Sequence, residues 1–112
     1  MLEGHVEITI GGQPATLVPS LGAAMALCQR HESFGALLAK IESLDLIAAV
    51  DVVRFGLGRR ESEQDATAQQ VFEAGVLDLM PRLARFVFIL ANGGRPPKDE
   101  GEVEKPGTPF AG

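Results

Sequence analysis

The chain has little of the material from which catalytic and metal sites are built. Its 112 residues include one cysteine, Cys28, and two histidines, His5 and His31. One cysteine cannot form an internal disulfide, and no Cys or His spacing matches that of a zinc site. Neither histidine has a sequence-local partner of the kind that a catalytic triad requires. We therefore expect no enzyme, no catalytic residue, no metal and no cofactor, and the cysteine content fits a reducing cytoplasm.

Aromatic rings and positive charge are also scarce. Trp and Tyr are absent, so there is little to stack on sugars or bases. Acidic residues outnumber basic ones by 15 to 10, and the formal charge of −5 repels nucleic acid and anionic lipid. No segment approaches the roughly 18 apolar residues of a membrane span, and the sequence Met1–His5 lacks the basic start of a signal peptide. We expect neither nucleic acid nor a membrane as a partner.

The start of the sequence predicts a β-hairpin over about residues 5–18. Apolar and polar residues alternate on both sides of Gly11-Gly12, which is a signal for a two-residue turn. Pro14 has no N–H to donate, so the second strand should lie at a sheet edge or begin after Pro14. A lone hairpin must pack on another element to be stable, and the helices that follow are the available surface.

Apolar residues at i, i+3, i+4 and i+7 predict five short helices after the hairpin. We expect them at about residues 21–31, 34–42, 44–57, 66–75 and 79–92. The predicted N-caps are Ser20, Ser33, Ser43 and Asp78, with Ser62 and Asp65 as a capping box before the fourth helix. Pro81 is expected to separate or kink the last two helices, and the sequence leaves open whether they are continuous.

The same spacing predicts which helix faces are buried. The predicted faces are Leu21, Ala24, Met25 and Cys28 in the first helix, Phe34, Leu37, Leu38 and Ile41 in the second, Leu46, Val50, Val53 and Leu57 in the third, and Ala68, Val71, Phe72 and Gly75 in the fourth. The third helix is apolar on most sides, which is typical of a central, buried helix.

These elements define one α+β domain over residues 1–93, in which the N-terminal β-hairpin packs on a bundle of four to five short α-helices. With 46% hydrophobic residues the chain can form one modest core. Residues 94–112 are rich in Pro, Gly and charge and have almost nothing to bury, so we expect a disordered C-terminal tail.

Several residues that could carry chemistry also have a simpler structural interpretation. Cys28 is expected in the core, and His31 is favoured at a helix C-terminus by the helix dipole. Asp51 is expected to form a structural salt bridge with Arg54 at i+3. The segment Gly56-Leu57-Gly58-Arg59-Arg60 resembles an anion-binding loop, but it follows a helix C-terminus, which favours a glycine C-cap. Arg59 and Arg60 could bind an acidic partner, or they could simply belong to a solvated loop.

The fifth helix carries the candidate partner surface. Its inward stripe of Leu83, Phe86, Val87 and Leu90 is accompanied by further apolar residues, so that the segment from Phe86 to Leu90 is apolar all round. Either this helix is buried within the monomer, or one side of it binds a partner or a second copy. The candidate partner-binding residues are Leu83, Phe86, Phe88 and Leu90, and the competing interpretation places all four in the core.

The order of these features resembles the small tail assembly proteins of siphophages and gene transfer agents, which are described as tail-tube-related or as tail assembly chaperones. The similarity spans about residues 4–93, and its most specific part is the second strand followed by Ser20-Leu21-Gly22-Ala23-Ala24. Gly35-Ala36-Leu37-Leu38 and Arg54-Phe55-Gly56-Leu57-Gly58 also belong to the pattern. Members of that family often end the first helix with acidic residues, whereas Gln29-Arg30-His31 precedes Glu32 in this chain.

The resemblance implies a non-enzymatic, prophage-encoded protein of the bacterial cytoplasm. It implies that the protein binds the tape measure protein or tail tube subunits during tail assembly and keeps them from aggregating. Self-association of the protein is left open. The main alternative is a structural, tube-related subunit that is retained in the virion. A small-ligand protein or an enzyme fits less well because no nucleophile, base or metal constellation is present. A helix-turn-helix regulator fits less well because no helix begins with basic and amide residues.

Overall fold

A β-hairpin and five α-helices pack around one core in the computed structural model, which describes residues 3–97. The elements are β1 (Val6–Ile10), β2 (Gln13–Leu17), α1 (Leu21–His31), α2 (Phe34–Glu42), α3 (Leu46–Gly56), α4 (Gln64–Ala74) and α5 (Val76–Ala91), with one turn of 3-10 helix at Glu61–Glu63. The predicted α+β class is confirmed. Of the predicted C-terminal tail, residues 98–112 lie outside the described residues.

The hairpin has the predicted turn and edge position. Gly11 and Gly12 both have positive φ angles, of 59° and 73°, as a type I′ turn requires. The antiparallel register pairs Thr9 with Pro14. In a hairpin with a two-residue loop this is a non-hydrogen-bonded pair, so the missing N–H of Pro14 faces the outer edge and costs no ladder bond. The side of β1 that faces the helices consists of Val6, Ile8 and Ile10, all buried.

Helix α3 is the central element, as its composition predicted. Eight of its eleven residues are buried, and it contacts the other four helices and β2. Its N-cap is Asp45, whose Oδ1 accepts a hydrogen bond from the Ala48 N–H at 3.0 Å. The prediction of Ser43 as the N-cap was wrong, because Ser43 ends α2 and its hydroxyl donates back to the Ala39 carbonyl. The third helix therefore begins at residue 46 instead of 44.

The connection between α2 and α3 holds a leucine in a conformation that glycine normally adopts. Leu44 has a φ of 65°. Its N–H donates to the Ile41 carbonyl and the Asp45 N–H donates to the Lys40 carbonyl, both at 3.0 Å. This is the Schellman pattern, in which the residue in the left-handed region is usually glycine. A side chain in that region costs about 1–2 kcal/mol.

Replacing Leu44 with glycine should therefore raise the free energy of unfolding by about 0.5–1 kcal/mol. The relief of backbone strain exceeds the entropy that glycine adds to the unfolded chain. The leucine side chain is 42% exposed, so little packing is lost. Urea denaturation measures the change, and Leu44→Ala is the control because it shortens the side chain without relieving the strain. Equal destabilisation by both substitutions would contradict the prediction.

The fourth and fifth helices are separate, and a glycine divides them. Gly75 has a φ of 96° and ends α4, and its carbonyl accepts the Leu79 N–H inside α5. Asp78 lies in the first turn of α5 and is not its N-cap. Pro81 lies inside the same helix, where it leaves the Leu77 carbonyl without its helical partner. The predicted boundaries of 66–75 and 79–92 are thus replaced by 64–74 and 76–91.

The start of α4 and its buried face also differ from the prediction. In place of a capping box formed by Ser62, the Arg60 N–H donates to Glu63 Oε1 at 2.8 Å in the 3-10 turn. Thr67 and Val71 are the fully buried residues of α4, whereas Phe72 is 67% exposed. The Thr67 hydroxyl is accommodated because it donates to the Glu63 carbonyl.

Helix α5 completes the core. Its C-terminus is closed at Gly93, with a φ of 75°, and the Gly94 N–H donates to the Ile89 carbonyl at 2.8 Å. The described chain continues past the predicted domain end at residue 93, since the Asn92 amide donates to the carbonyls of Arg95 and Pro96. No helix within residues 3–97 has both the length and the apolar character needed to cross a membrane.

Candidate functional site

Helix α1 turns its most apolar stripe outward. Leu21 is 76% exposed and Met25 is 54% exposed, whereas Ala23, Leu27 and His31 form the buried side. The predicted buried face of this helix was therefore wrong. The observed inner side holds one large apolar side chain, and the N-cap prediction is confirmed because Ser20 Oγ accepts the Ala23 N–H at 3.1 Å.

The outward stripe of α1 forms one wall of an apolar groove. The groove has a volume of about 570 Å³ and lies between α1, the first residue of α2 and the end of α5. It is lined by Leu21, Ala24, Met25, Cys28, Gln29, Phe34, Leu90, Ala91 and Gly93. Cys28 is half-buried in this wall. The prediction that Cys28 is a core residue was therefore wrong. We call this feature the α1–α5 groove.

Two smaller hollows extend the groove at its ends. One, of about 170 Å³, shares Leu21, Leu90 and Gly93 with it and reaches Pro19. The other, of about 200 Å³, shares Phe34 and Ala91 and continues between α2 and α5, where Phe88 is 49% exposed. Leu21, Met25 and Phe88 alone expose apolar surface on the order of 300 Å², a patch size that is often functional in monomeric proteins.

The structure divides the four predicted partner-binding residues. Leu83 and Phe86 are fully buried and Leu90 is 6% exposed, because their side of α5 packs on the rest of the core. For these three residues the core interpretation holds, and Leu90 contributes only to the floor of the α1–α5 groove. Phe88, on the opposite side of α5, remains available for a partner.

Two exposed residues of opposite charge, Arg95 and Glu32, lie at the two ends of α1. Arg95 packs its guanidinium on Gly93, at the end of the groove that contains Leu21. Glu32 follows the other end of α1, four residues after Cys28 and two before Phe34. Its φ of 79° and ψ of −46°, with the Ser33 N–H donating to the His31 carbonyl, define a strained γ-turn.

A cluster of four polar residues joins the inner side of α1 to α2 and α3. Asp51 is 1% exposed, and its Oδ2 accepts hydrogen bonds from His31 Nε2 at 2.8 Å and from Arg30 Nε at 3.0 Å. Lys40 Nζ lies 3.0 Å from His31 Nδ1. Because an ammonium group can only donate, Nδ1 must accept, and the His31 proton therefore sits on Nε2. We call these residues the Asp51 cluster.

The predicted salt bridge between Asp51 and Arg54 was wrong. Arg54 is 6% exposed and lies over the Phe55 ring, 4.2 Å from its centroid. Its Nε and the Asp51 Oδ1 are buried without a hydrogen-bond partner among residues 3–97. The Asp51 carboxylate instead accepts hydrogen bonds from His31 and Arg30, which are 20 and 21 positions earlier in the sequence. Local residue spacing could not predict these contacts.

The glycine and arginine segment after α3 acts as a structural cap. Gly58 has a φ of 72°, its N–H donates to the Phe55 carbonyl, and the Arg59 N–H donates to the Arg54 carbonyl. The predicted glycine C-cap is confirmed. The Arg59 guanidinium donates to Thr67 Oγ1 at 2.9 Å and to Gln70 Oε1 at 2.6 Å, so Arg59 fastens α4 to the end of α3.

The α1–α5 groove is the feature best suited to bind something. It exposes a large apolar surface in a concave shape, whereas the Asp51 cluster has its carboxylate and imidazole buried and its members held by mutual contacts. In the part of the chain that the structure describes, no three His, Cys, Asp or Glu side chains are placed to hold a metal ion. Comparison of the chain with protein-family models, with curated proteins and with solved structures gives no match.

Proposed function

We propose that this protein is a non-enzymatic tail assembly chaperone of a phage or gene transfer agent, acting in the bacterial cytoplasm. In this proposal it holds an amphipathic helix of the tape measure protein, or of a tail tube subunit, in the α1–α5 groove. The single observation that carries the proposal is the exposed apolar wall of α1, where Leu21 and Met25 face outward from a folded body.

The shape of the groove supports a helix as the occupant. Leu21, Met25 and Cys28 stand at i, i+4 and i+7 along one wall, and the end of α5 forms the other. A third helix can lay its own apolar stripe between two such walls, with anchors at the same spacing. Met25 supplies a flexible thioether that can adapt to different anchors.

The size of the patch favours a helical client over a stable dimer through this groove. A stable interface buries about 800 Å² on each partner, which is more than the exposed part of the groove offers. A long client helix with repeated apolar stripes can engage many copies, each of them weakly. Shielding those stripes from one another is the physical basis for preventing aggregation.

Co-expression with the tape measure protein from the same genome tests the proposal. We expect the tape measure protein, insoluble when expressed alone, to become soluble and to co-purify with this chain. The control is co-expression with an unrelated protein of the same size and net charge. If the tape measure protein stays insoluble and does not co-purify, the chaperone proposal fails.

Mass spectrometry of purified particles separates the chaperone from the structural alternative. A chaperone is released before the particle is complete, so it should be absent or present at trace level. A structural, tube-related subunit would instead be found in many copies, and that result would replace the proposal.

A further inference from the structure

We propose that the client helix binds in one direction, antiparallel to α1, with acidic residues beside Arg95 and basic residues beside Glu32. This inference rests on the proposed function, since it concerns the same groove. It adds what the partner must carry besides an apolar stripe, and it predicts the direction in which the client chain runs.

The charges at the ends of the groove carry the inference. Gly93 lines the groove, and the Arg95 guanidinium lies against it, so a positive charge stands at the end where α1 begins. Glu32 carries a negative charge in the turn after α1, and in sequence it lies between Gln29 and Phe34, which both line the groove. Neither side chain forms a hydrogen bond or an ion pair with another described residue. Both charges are thus available to an incoming helix.

The helices that form the walls contribute little to the choice of direction. The N-terminus of α1 and the C-terminus of α5 lie at the same end of the groove, because Leu21 and Leu90 line the same hollow. Their dipoles have opposite signs at that end and largely cancel. The side-chain charges therefore decide, and a client helix, whose own C-terminus is partially negative, should place that end near Arg95.

The backbone at Glu32 agrees with a functional charge at that position. Glycine would adopt the positive φ of this γ-turn with less strain, yet the chain has a carboxylate there. Strained residues that persist in a fold are concentrated at binding and catalytic sites.

Two synthetic peptides test the direction. Both are 18-residue helices with the same apolar stripe, one central Trp and no net charge. The first carries two Lys in its first turn and two Glu in its last turn, and the second carries the reverse. Because the protein contains no Trp or Tyr, the peptide Trp reports binding without background. Each peptide is titrated against the natural protein and against the double variant Arg95→Glu, Glu32→Lys.

The first peptide should bind an antiparallel site about fivefold more tightly than the second, as expected for exposed ion pairs. The preference should invert in the double variant and shrink in 0.5 M salt, where charges are screened over about 4 Å. Comparing the ratio of affinities between the two proteins cancels any difference in the peptides' own helicity.

Different results would contradict the binding direction and the proposed helix site. Equal ratios for the natural protein and the double variant, with both peptides bound, would overturn the direction while leaving the groove as a helix site. Binding of neither peptide at millimolar concentration would overturn the direction and the proposed function together.

Discussion

Replacing Asp51 with alanine should lower the free energy of unfolding by about 1–3 kcal/mol, the range found when a buried donor is left without its acceptor. The His31 Nε2–H would lose its acceptor inside the core, and the side chain of Asp51 is 1% exposed, so water does not replace it easily. For a domain of this size the melting temperature should fall by at least about 4 °C. Thermal unfolding followed by circular dichroism measures the change.

Two substitutions separate the buried hydrogen bond from the charge. Asp51→Asn keeps an oxygen that can accept from His31 and should cost less than the alanine substitution, about 1 kcal/mol. Arg30→Ala removes the outer partner, whose side chain is 46% exposed, and should cost less than about 1 kcal/mol. If Asp51→Ala were no more destabilising than Arg30→Ala, the Asp51 cluster would not hold α1 in place.

The Asp51 cluster explains why the sequence predicted the wrong face of α1. Hydrophobic periodicity favours burial of Leu21, Met25 and Cys28, because it scores each side chain alone. The structure instead buries His31, whose polar ring becomes acceptable only beside Asp51 of α3. A contact between residues 20 positions apart leaves no local signal in the sequence. The stripe of Leu21, Met25 and Cys28 was therefore predicted to be core, whereas in the structure it forms one wall of the groove.

The limits of α1 and α2 could be predicted because local chemistry determines them. Ser20 and Ser33 each accept an N–H three residues on, and the bounds of α1 and α2 coincide with the prediction. The N-terminus of α3 was misplaced because the prediction took Ser43 as its cap, whereas Asp45, two residues later, is the cap in the structure. Which of them caps α3 depends on the turn at Leu44, and a leucine there gives no turn signal.

The break before α5 could not be located for a related reason. Asp78 and Pro81 are strong signals for a helix start, but Asp78 lies in the first turn of α5 and the helix continues through Pro81 with the loss of one backbone hydrogen bond. Gly75 was assigned to a buried face instead, although its φ of 96° is the conformational feature that divides α4 from α5. The partner surface was assigned to Leu83, Phe86, Phe88 and Leu90 because the segment from Phe86 to Leu90 is apolar all round, and only the packing distinguishes its buried side from Phe88.

The double substitution Leu21→Glu, Met25→Glu should weaken client binding by 100-fold or more. Burying two such side chains contributes about 1.5–3 kcal/mol each, and glutamate would also have to give up its water in an apolar groove. The stability of the protein itself should change by less than about 1 kcal/mol, because both side chains are more than half exposed in the folded state. Titration of a tape measure segment into the natural protein and into the variant measures the two affinities.

The matched control is the double substitution Phe72→Glu, Leu77→Glu, which changes two side chains of similar exposure, 67% and 66%, on either side of the Gly75 break and outside the groove. It adds negative charge and removes apolar surface as the groove variant does, so it should leave client binding unchanged within twofold. Equal losses for both variants would mean that charge or general hydrophobicity controls binding. A loss confined to Leu21 and Met25 would instead tie the client to the face of α1 that the Asp51 cluster keeps turned outward.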